Sequence, residues 1–287
     1  MSLLKTENLT HTYSAGTPFE RVAVSGIDFQ MEKGEYIGII GATGSGKSTF
    51  IQHLNGLMKP TSGKVFYNDQ DIHLTKNTAR DIRFKVGLVF QYPEYQLFEA
   101  TVFEDISFGP KNMGLNESEV KDRVYEAAGF AGLGESFLEK SPFELSGGEK
   151  RRVAIAGVIA MRPEVLILDE PTAGLDPRGR DEIIRNILDY KKAHDATVVM
   201  VTHDMEEIAR SAHRVVIFER GKIVLEGAPS QVFAKPEFLL ELGLAAPKVT
   251  LVADKLRKLG LPLSDNIYQV SQLRDELRTL RGECSNA

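Results

Sequence analysis

Hydrophobic and polar residues follow two different periods along this chain. Short apolar runs of strand length are separated by longer stretches with helical spacing, a pattern typical of an α/β protein in which helices pack on a sheet. The runs that predict buried strands are Tyr36–Ile40, Val86–Phe90, Val165–Leu168 and Thr197–Val201. The stretches that predict helices are Gly46–Leu57, Gly147–Met161 and Arg178–Ala193.

The N-terminal segment has a different pattern. Leu3–Leu9 and Val22–Gln30 are rich in residues that favour strands, and the segment between them contains Gly16 and Pro18. Because glycine and proline favour turns, these two runs predict a pair of antiparallel strands joined by a turn.

Two further changes of pattern predict the domain organisation. Between residues 98 and 143 the chain becomes mostly helical, which predicts a helical insertion over about residues 98–160. From about residue 229 onward the pattern shifts again, and Val249–Leu259 and Ser271–Arg281 predict two more helices. We therefore predict one main domain over residues 1–228 and a C-terminal extension over residues 229–287.

Composition excludes several classes of protein. The 287 residues are 42% hydrophobic and 26% charged, as in ordinary globular proteins, and the net charge of −5 argues against a strongly basic nucleic-acid binder. One cysteine, Cys284, cannot form an intramolecular disulfide or a cysteine-rich metal site. Since no apolar run approaches the ~20 residues that span a bilayer, we expect a soluble cytoplasmic protein, or one held at a membrane by something other than its own helix.

A glycine-rich loop follows the first predicted buried strand. The segment from Gly41 to Thr49 fits the pattern G-x-x-x-x-G-K-S/T and lies between a strand and a helix. Such a loop turns backbone N–H groups toward phosphate oxygens, with the lysine reaching the β- and γ-phosphates and the hydroxyl binding Mg²⁺. The alternative is a tight turn that happens to contain Gly-Lys-Ser. The candidate nucleotide-binding residues here are Gly41, Thr43, Gly44, Ser45, Gly46, Lys47, Ser48 and Thr49.

Two acidic residues end another predicted strand. Val165–Leu168 leads directly into Asp169 and Glu170. Parallel strands present functional residues at their carboxyl ends. Asp169 is therefore a candidate to hold Mg²⁺ through water, and Glu170 a candidate to orient the attacking water in phosphoryl transfer. An apolar strand followed by two acidic residues is common by itself. Together with the glycine-rich loop, it becomes a strong indication of a phosphoryl-transfer site.

A third segment, Leu145-Ser-Gly-Gly-Glu149, opens a predicted helix. Ser146 and Glu149 have the spacing of a capping box, so an ordinary well-capped helix is the simpler interpretation. The two glycines, however, leave the N–H groups of the first turn uncovered, which favours an anion site.

Taken together, these three motifs resemble those of the ATP-binding-cassette (ABC) ATPases, and the resemblance covers nearly all of Leu3–Gly227. It implies an ABC-type P-loop fold with a parallel-sheet core, an antiparallel β subdomain and a helical insertion. It also implies that ATP and Mg²⁺ are bound between two cassettes. The segment Ser146, Gly147, Gly148 and Glu149 would then complete the ATP site of the partner subunit. Glu149 is a departure, because many members of the family have glutamine there.

The resemblance implies roles for further residues. Gln91 matches the glutamine that touches Mg²⁺ and water, so Ser48, Gln91 and Asp169 form the expected metal-binding set. Asp176 matches the loop that crosses the dimer interface, and His203 matches the switch histidine that contacts the γ-phosphate. The catalytic set is Glu170, His203 and Gln91. Tyr13 stands where an aromatic residue stacks on adenine, although alone it is more typical of a half-buried strand position.

Several stretches are similar to the ATPases of energy-coupling factor (ECF) transporters. They are Thr17–Arg21, Gln52–Leu57, Val89–Phe98, Ser141–Ser146 and Arg151–Gly157. The first resembles the second of the two ATPase subunits of the heteromeric module. This resemblance implies a heterodimer with a second ABC ATPase subunit on the cytoplasmic face of the membrane, with the C-terminal extension helping to hold the dimer. The pair would dock on a transmembrane coupling protein and power import of a vitamin or transition-metal ion that membrane-embedded substrate-binding proteins select.

Other interpretations stay open from the residues alone. The chain is compatible with the ATPase subunit of a conventional ABC importer, with a non-transport ABC clamp on nucleic acid, and least of all with a small-molecule kinase. The aromatic residues of Tyr92–Phe108 either form part of a groove for the coupling helix of the membrane partner or fill the core of the helical insertion. We expect the protein to hydrolyse ATP and to have no nucleic-acid partner.

Overall fold

The computed structural model describes residues 2–284 of the chain. Within that range the strands are β1 Leu4–Tyr13, β2 Arg21–Met31, β3 Tyr36–Gly41, β4 Ser62–Tyr67, β5 Gln70–Asp71, β6 Val86–Val89, β7 Val165–Asp169, β8 Thr197–Val201, β9 Arg214–Glu219 and β10 Lys222–Gly227. The α-helices are α1 Lys47–Leu54, α2 Lys76–Lys85, α3 Val102–Asn112, α4 Glu117–Phe130, α5 Gly147–Ile159, α6 Pro177–His194, α7 Met205–Ser211, α8 Pro229–Phe233, α9 Pro236–Glu241, α10 Lys248–Lys258 and α11 Val270–Cys284. All the strands and helices predicted from the sequence form.

The chain divides into two compact units. The first comprises Met1–Glu35 and Ser48–Val201, and the second comprises Tyr36–Lys47 and Thr202–Ala287. The boundary predicted at residue 228 falls inside the second unit and stays a prediction.

The first unit contains an antiparallel sheet in the strand order β2-β1-β4-β5. The predicted N-terminal strand pair is confirmed, with Leu4 opposite Met31 and Tyr13 opposite Arg21. Both strands run longer than predicted because bulges near Leu9 let the pairing continue past irregular positions.

Parallel strands β6, β7 and β8 also belong to the first unit. β7 pairs in parallel with β6 and with β8, and Asp169 lies opposite Val201. Every residue of the three strands is buried. This explains why they are continuous apolar runs, since parallel strands are covered on both faces.

The helical part of the first unit spans α3 to α5. Each helix begins at a side-chain cap, from Thr101, Asn116 and Ser146 respectively. α5 packs against both α3 and α4. The helical character predicted for residues 98–143 is therefore confirmed, while the bounds of an insertion at 98–160 stay a prediction.

The second unit contains β3 paired in parallel with β9, and β10 paired in antiparallel with β9. Farther along, α10 and α11 pack on a small apolar cluster that includes Val249, Ala253, Leu263 and Ile267. These helices confirm the two predicted from the sequence. The short helices α8 and α9 have no predicted counterpart.

Two predicted helices end earlier than expected, since α5 ends at Ile159 rather than Met161 and α1 is also shorter. α1 ends at Leu54 rather than Leu57, because the N–H groups of Leu57 and Met58 both turn back to the carbonyl of Gln52. Among the helices of residues 2–284, none combines the length and the apolar character needed to cross a membrane.

Candidate active site

The glycine-rich loop connects β3 to α1. At Gly41 a Cβ atom would overlap the carbonyl oxygen of Phe218 and lie 2.8 Å from Ser45 Oγ, so the close approach of the backbone requires glycine. Gly46, with a φ of 104°, lies in a region that side chains disfavour. The N–H of Gly221 donates to the carbonyl of Ser45 (2.8 Å) and ties the loop to the β9–β10 turn. The loop is thus a rigid, open cradle of the kind that phosphate groups enter.

Lys47 begins α1 and reaches back into this loop. Its Nζ donates to the carbonyls of Gly41 (2.7 Å) and Ala42 (2.9 Å). The ammonium group is therefore held against the loop by the loop's own backbone carbonyls. A positive charge so placed complements a polyphosphate.

Asp169 and Glu170 lie at the carboxyl end of β7. Asp169 is buried and Glu170 is half-buried. Glu170 has a φ of 53°, in the left-handed region that non-glycine residues rarely adopt. Its N–H donates to the carbonyl of Val201 (2.8 Å) and its carbonyl accepts from the N–H of Ala173 (3.2 Å). Such backbone strain costs about 1–3 kcal/mol and concentrates at functional sites.

The capping box predicted at Ser146 is present. Glu149 accepts from the N–H (2.8 Å) and hydroxyl (2.7 Å) of Ser146, and the Glu149 N–H points back to Ser146 Oγ (3.4 Å). These hydrogen bonds lower the pKa of the Glu149 carboxyl, so a glutamate closes the box without difficulty. Ser146 and Gly147 are exposed, and no atom lies within 4 Å of a Cβ built on Gly147. The start of α5 is therefore open to a ligand from outside the chain.

Three more predicted residues lie on exposed loops. Gln91 directly follows β6, and His203 lies between β8 and the cap of α7. Asp176 caps α6, its Oδ1 accepting from the N–H of Gly179 at 2.7 Å. The sequence did not single out Asp204, whose carboxylate caps α7 one residue after His203.

Tyr13 contacts another predicted nucleotide-binding residue. Its hydroxyl lies 3.1 Å from Thr49 Oγ1, and its ring, at 41% exposure, meets the edge of His11 with 4.6 Å between centroids. Behind it, His53 Nε2 lies 3.1 Å from His11 Nδ1 and His53 Nδ1 lies 2.7 Å from the Thr49 carbonyl. Tyr13 is thus held at one end of a histidine pair rather than buried in the sheet.

His53 makes the stability of the protein pH-dependent. Burial, with the charges of His11 and His73, lowers the pKa of His53 from 6.5 to about 4, despite the opposing hydrogen bond to Thr49. In the unfolded chain this histidine takes up a proton near its ordinary pKa, so the free energy of unfolding falls as the pH drops from about 6.5 to about 4. The expected loss is about 3 kcal/mol.

Chemical denaturation at a series of pH values tests this prediction. His53→Gln removes that part of the acid dependence, whereas the control His194→Gln, at a partly exposed ring beside Glu126, retains it. The same slope in wild type and His53→Gln contradicts the assignment.

The oxygen donors suit magnesium. Ser48, Gln91 and Asp169 offer a hydroxyl, an amide and a carboxylate, and all three lie in the first unit. Within residues 2–284 no cluster of three or more His, Cys, Asp or Glu side chains is arranged to hold a metal by itself. Mg²⁺ prefers oxygen ligands, and proteins commonly bind it through a few side chains together with substrate phosphates.

The predicted residues divide between the two units. The first unit contains Tyr13, Ser48, Thr49, Gln91, the Ser146–Glu149 segment, Asp169, Glu170 and Asp176. The second contains the loop Gly41–Lys47 and His203. Within the first unit, the structure reveals one functional candidate that sequence reasoning did not identify. Arg151, which is buried, forms an ion pair with the half-buried Glu94, and 57 positions separate them in the chain.

Comparison with known proteins gives consistent results. The family model described as ABC transporter matches residues 24–173, and a model described as AAA domain, putative AbiEii toxin, Type IV TA system, matches residues 139–209. The chain is 52% identical to the energy-coupling factor transporter ATP-binding protein EcfA2 of Caldanaerobacter subterraneus subsp. tengcongensis, over 97% of this chain and 98% of that protein. It is 54% identical to EcfA2 of Clostridium tetani over 96% of both chains.

Solved structures agree with the fold. The structure of cbiO1 from Clostridium perfringens, part of the ABC transporter complex cbiONQ, matches with a TM-score of 0.75 and 39% identity over 90% of this chain and 98% of that chain. The dimeric ATP-binding cassette MJ0796 bound to ADP and phosphate matches with a TM-score of 0.71 and 30% identity over 79% of this chain and 98% of that chain.

Proposed function

Because this chain belongs to the ABC transporter family and is related along its length to energy-coupling factor transporter ATP-binding proteins, we propose that it is the ATP-hydrolysing subunit of an energy-coupling factor importer. The proposal rests chiefly on three features that occur together in one chain. They are the glycine-rich loop before Lys47, the acidic pair Asp169 and Glu170 at the end of β7, and the exposed start of α5, which Ser146 caps and which begins with two glycines. A small-molecule kinase needs only the first two of these features.

The reaction is the attack of water on the γ-phosphate of ATP, with no covalent enzyme intermediate. Lys47 and the backbone N–H groups of its loop stabilise charge on the transferring phosphoryl group. Glu170 accepts a hydrogen bond from the attacking water, orients it and takes up its proton as the new P–O bond forms and ADP leaves. His203 contacts the γ-phosphate. Ser48, Gln91 and Asp169 would hold Mg²⁺, and the ion would supply positive charge that neutralises the phosphates. Tyr13 stacks on adenine.

The working form is a dimer with a second, similar ATPase subunit. The start of α5 and the cap of α6 are both exposed, so Ser146 and Asp176 are available to a partner cassette. In the C-terminal region Leu259 is 78% exposed and Val270 is 70% exposed. This exposure supports a dimerising role for the extension. Closure of the dimer around ATP and its opening after hydrolysis supply the movement that drives transport.

A groove in the first unit supports docking on a membrane partner. Phe98 and Phe108 line it together with Phe84 and Met161, and its volume is about 380 Å³. Tyr92 and Tyr95 lie outside the groove lining, in the segment just before Phe98, and are 48% and 84% exposed. Four of the five aromatic residues in Tyr92–Phe108 are therefore exposed, with Phe103 half-buried, and they do not fill the core of the helical part. An apolar groove of this kind fits a short helix of the transmembrane coupling protein.

Truncating these aromatic side chains tests the docking surface. We expect Tyr95→Ala and Phe98→Ala each to reduce the amount of membrane partner that co-purifies by at least about tenfold, because exposed aromatic anchors dominate the binding energy of such contacts. ATP hydrolysis by the ATPase pair in detergent-free solution is expected to remain within about twofold of wild type.

Phe19→Ala is the matched control, because Phe19 is as exposed as Tyr95 but lies in the turn between β1 and β2. Full retention of the membrane partner by both Tyr95→Ala and Phe98→Ala contradicts the docking surface and leaves the ATPase assignment intact.

We place the protein peripherally on the cytoplasmic face of the cell membrane, through these contacts. The relatives named for ATP binding in energy-coupling factor transporters support this location. Substrate selection then belongs to separate membrane-embedded binding proteins, which take vitamins or transition-metal ions. The chain itself has no role in recognising that solute.

A further inference from the structure

Arg151 connects three segments of the first unit. It lies on α5 five residues after the capping Ser146, and its side chain is only 5% exposed. Its Nε and Nη2 donate to the two carboxylate oxygens of Glu94, at 3.1 and 2.7 Å. Its Nη1 donates to the carbonyl of Pro171 at 3.3 Å and, more closely, to that of Ala173. One guanidinium group thus joins α5, the turn that contains Glu94 and the chain that follows β7.

Stability alone does not explain this ion pair between a buried arginine and a half-buried glutamate. Removing two charges from water costs several kcal/mol per ion, and well-packed apolar residues often serve as well or better. The geometry here is specific, because the planar fork of Arg151 pairs with both oxygens of Glu94 while its remaining donors reach backbone carbonyls. Burial by itself raises the pKa of Glu94, but hydrogen bonds and charge from Arg151 outweigh burial and hold it below its ordinary value. The pair is therefore ionised at neutral pH.

The backbone carbonyls that Arg151 contacts lie directly after Glu170, the residue with the strained backbone. Pro171 directly follows Glu170, and the N–H of Ala173 donates to the Glu170 carbonyl. By holding the carbonyls of Pro171 and Ala173, Arg151 fixes the backbone on the C-terminal side of a residue whose φ is 53°. A shift of that backbone moves the Glu170 carboxylate.

Glu94, the other partner of Arg151, lies in an exposed turn with two tyrosines, Tyr92–Gln96, which we call the aromatic turn. Glu94 lies in the 3₁₀ turn Pro93–Gln96, three residues after Gln91. Tyr92, in a left-handed conformation with φ of 55°, precedes the turn, and the N–H of Tyr95 donates to the carbonyl of Tyr92 (3.2 Å). Glu94 is thus a half-buried residue between two exposed tyrosines. Because Glu94 lies between these tyrosines in one short turn, a partner that moves either tyrosine also moves the Glu94 carboxylate that pairs with Arg151.

We propose that Arg151 is a positioning residue that links the aromatic turn to Glu170. When the membrane partner binds the turn, the Glu94–Arg151 pair moves and changes the orientation of the Glu170 carboxylate, so that docking sets the rate of ATP hydrolysis. The proposal rests on the proposed function, in which Glu170 orients the attacking water. Arg151 itself touches neither ATP nor water; it acts through Pro171 and Ala173 at one end and Glu94 at the other.

The test compares the assembled transporter with the ATPase pair alone. Arg151→Lys keeps the charge but loses the fork, and Glu94→Gln keeps the shape but loses the charge. For each variant and for the double variant, kcat and KM for ATP are measured in both preparations. In wild type the ratio of kcat in the assembled transporter to kcat in the pair differs from one.

We expect both variants to bring that ratio to within about twofold of one and to lower kcat in the transporter about tenfold or more, with KM for ATP changed less than about twofold. The double variant is expected to be no slower than the slower single variant, because residues of one network are not additive. Arg162→Lys, at the more exposed pair with Glu126, is the control and is expected to keep the wild-type ratio.

A ratio of one in wild type, an unchanged ratio in both variants, or additive losses in the double variant overturns the proposal. A purely structural role lowers kcat in both preparations in parallel and leaves the ratio unchanged, which is also an overturning result. If Arg151→Lys does not fold, the ratio of the two kcat values measured for the near-isosteric Glu94→Gln alone tests the proposal. Glu170→Gln, run in the same assay, separates the two claims: wild-type turnover in that variant overturns the proposed function, whatever Arg151 does.

Discussion

Glu170→Gln is expected to lower kcat for ATP hydrolysis by about 10²–10⁴-fold while ATP binding stays within about threefold of wild type. Glutamine keeps the size of the side chain and its ability to hydrogen-bond water, but it cannot accept a proton in the transition state, and that contribution has this magnitude. Because ATP remains bound and uncleaved, the variant is also expected to accumulate as a closed dimer with its partner subunit.

Single-turnover hydrolysis, together with size-exclusion chromatography in the presence of ATP and Mg²⁺, measures both effects. Glu135→Gln, at an exposed glutamate in the helical part, is the control and is expected to behave as wild type. Turnover near the wild-type rate in Glu170→Gln contradicts the role of this residue.

Lys47→Ala is expected to weaken nucleotide binding by about 10–100-fold. The Nζ of Lys47 donates to the carbonyls of Gly41 and Ala42, at the start of the loop. Hydrogen bonds to charged groups contribute about 1.5–3 kcal/mol each, which corresponds to this change in Kd. Removing the ammonium also leaves the carbonyls of Gly41 and Ala42 without their hydrogen-bond donor.

Titration calorimetry and the ATP-dependent rise in Tm measure the loss. In wild type a hundredfold excess of ATP over Kd stabilises the folded state by about 2.7 kcal/mol, and Lys47→Ala is expected to show little of this stabilisation. Lys64→Ala, at an exposed lysine of β4, is the control. An unchanged Kd in Lys47→Ala excludes the loop as the phosphate site.

The sequence predicted the elements whose signals are local. The buried strands that become β3, β7 and β8 are continuous apolar runs, and the glycine-rich loop follows directly from its spacing. The capping box at Ser146 was likewise predicted, because its two partners are only three residues apart. Short elements such as β5, with two residues, and α8, with five, carry too little periodic pattern to be recognised.

Features that depend on tertiary contact were beyond the sequence. The left-handed backbone of Glu170 is set by bonds to Val201 and Ala173, and neither residue type signals such a conformation. The Glu94–Arg151 pair joins segments far apart in the chain, each of which also contains other charged residues. For Tyr92–Phe108 the sequence left groove and core equally possible, since aromatic residues occur in both. Only the exposure of the side chains separates these interpretations.

We propose that this ATPase works as one of two cassettes on an energy-coupling factor membrane complex. Affinity purification of the tagged protein from detergent-solubilised native membranes, followed by mass spectrometry, tests it most directly. We expect a second, different cassette subunit, a transmembrane coupling protein and small membrane-embedded binding proteins to co-purify in comparable amounts. Recovery of a self-paired cassette with conventional permease subunits, or of no membrane protein, contradicts the account.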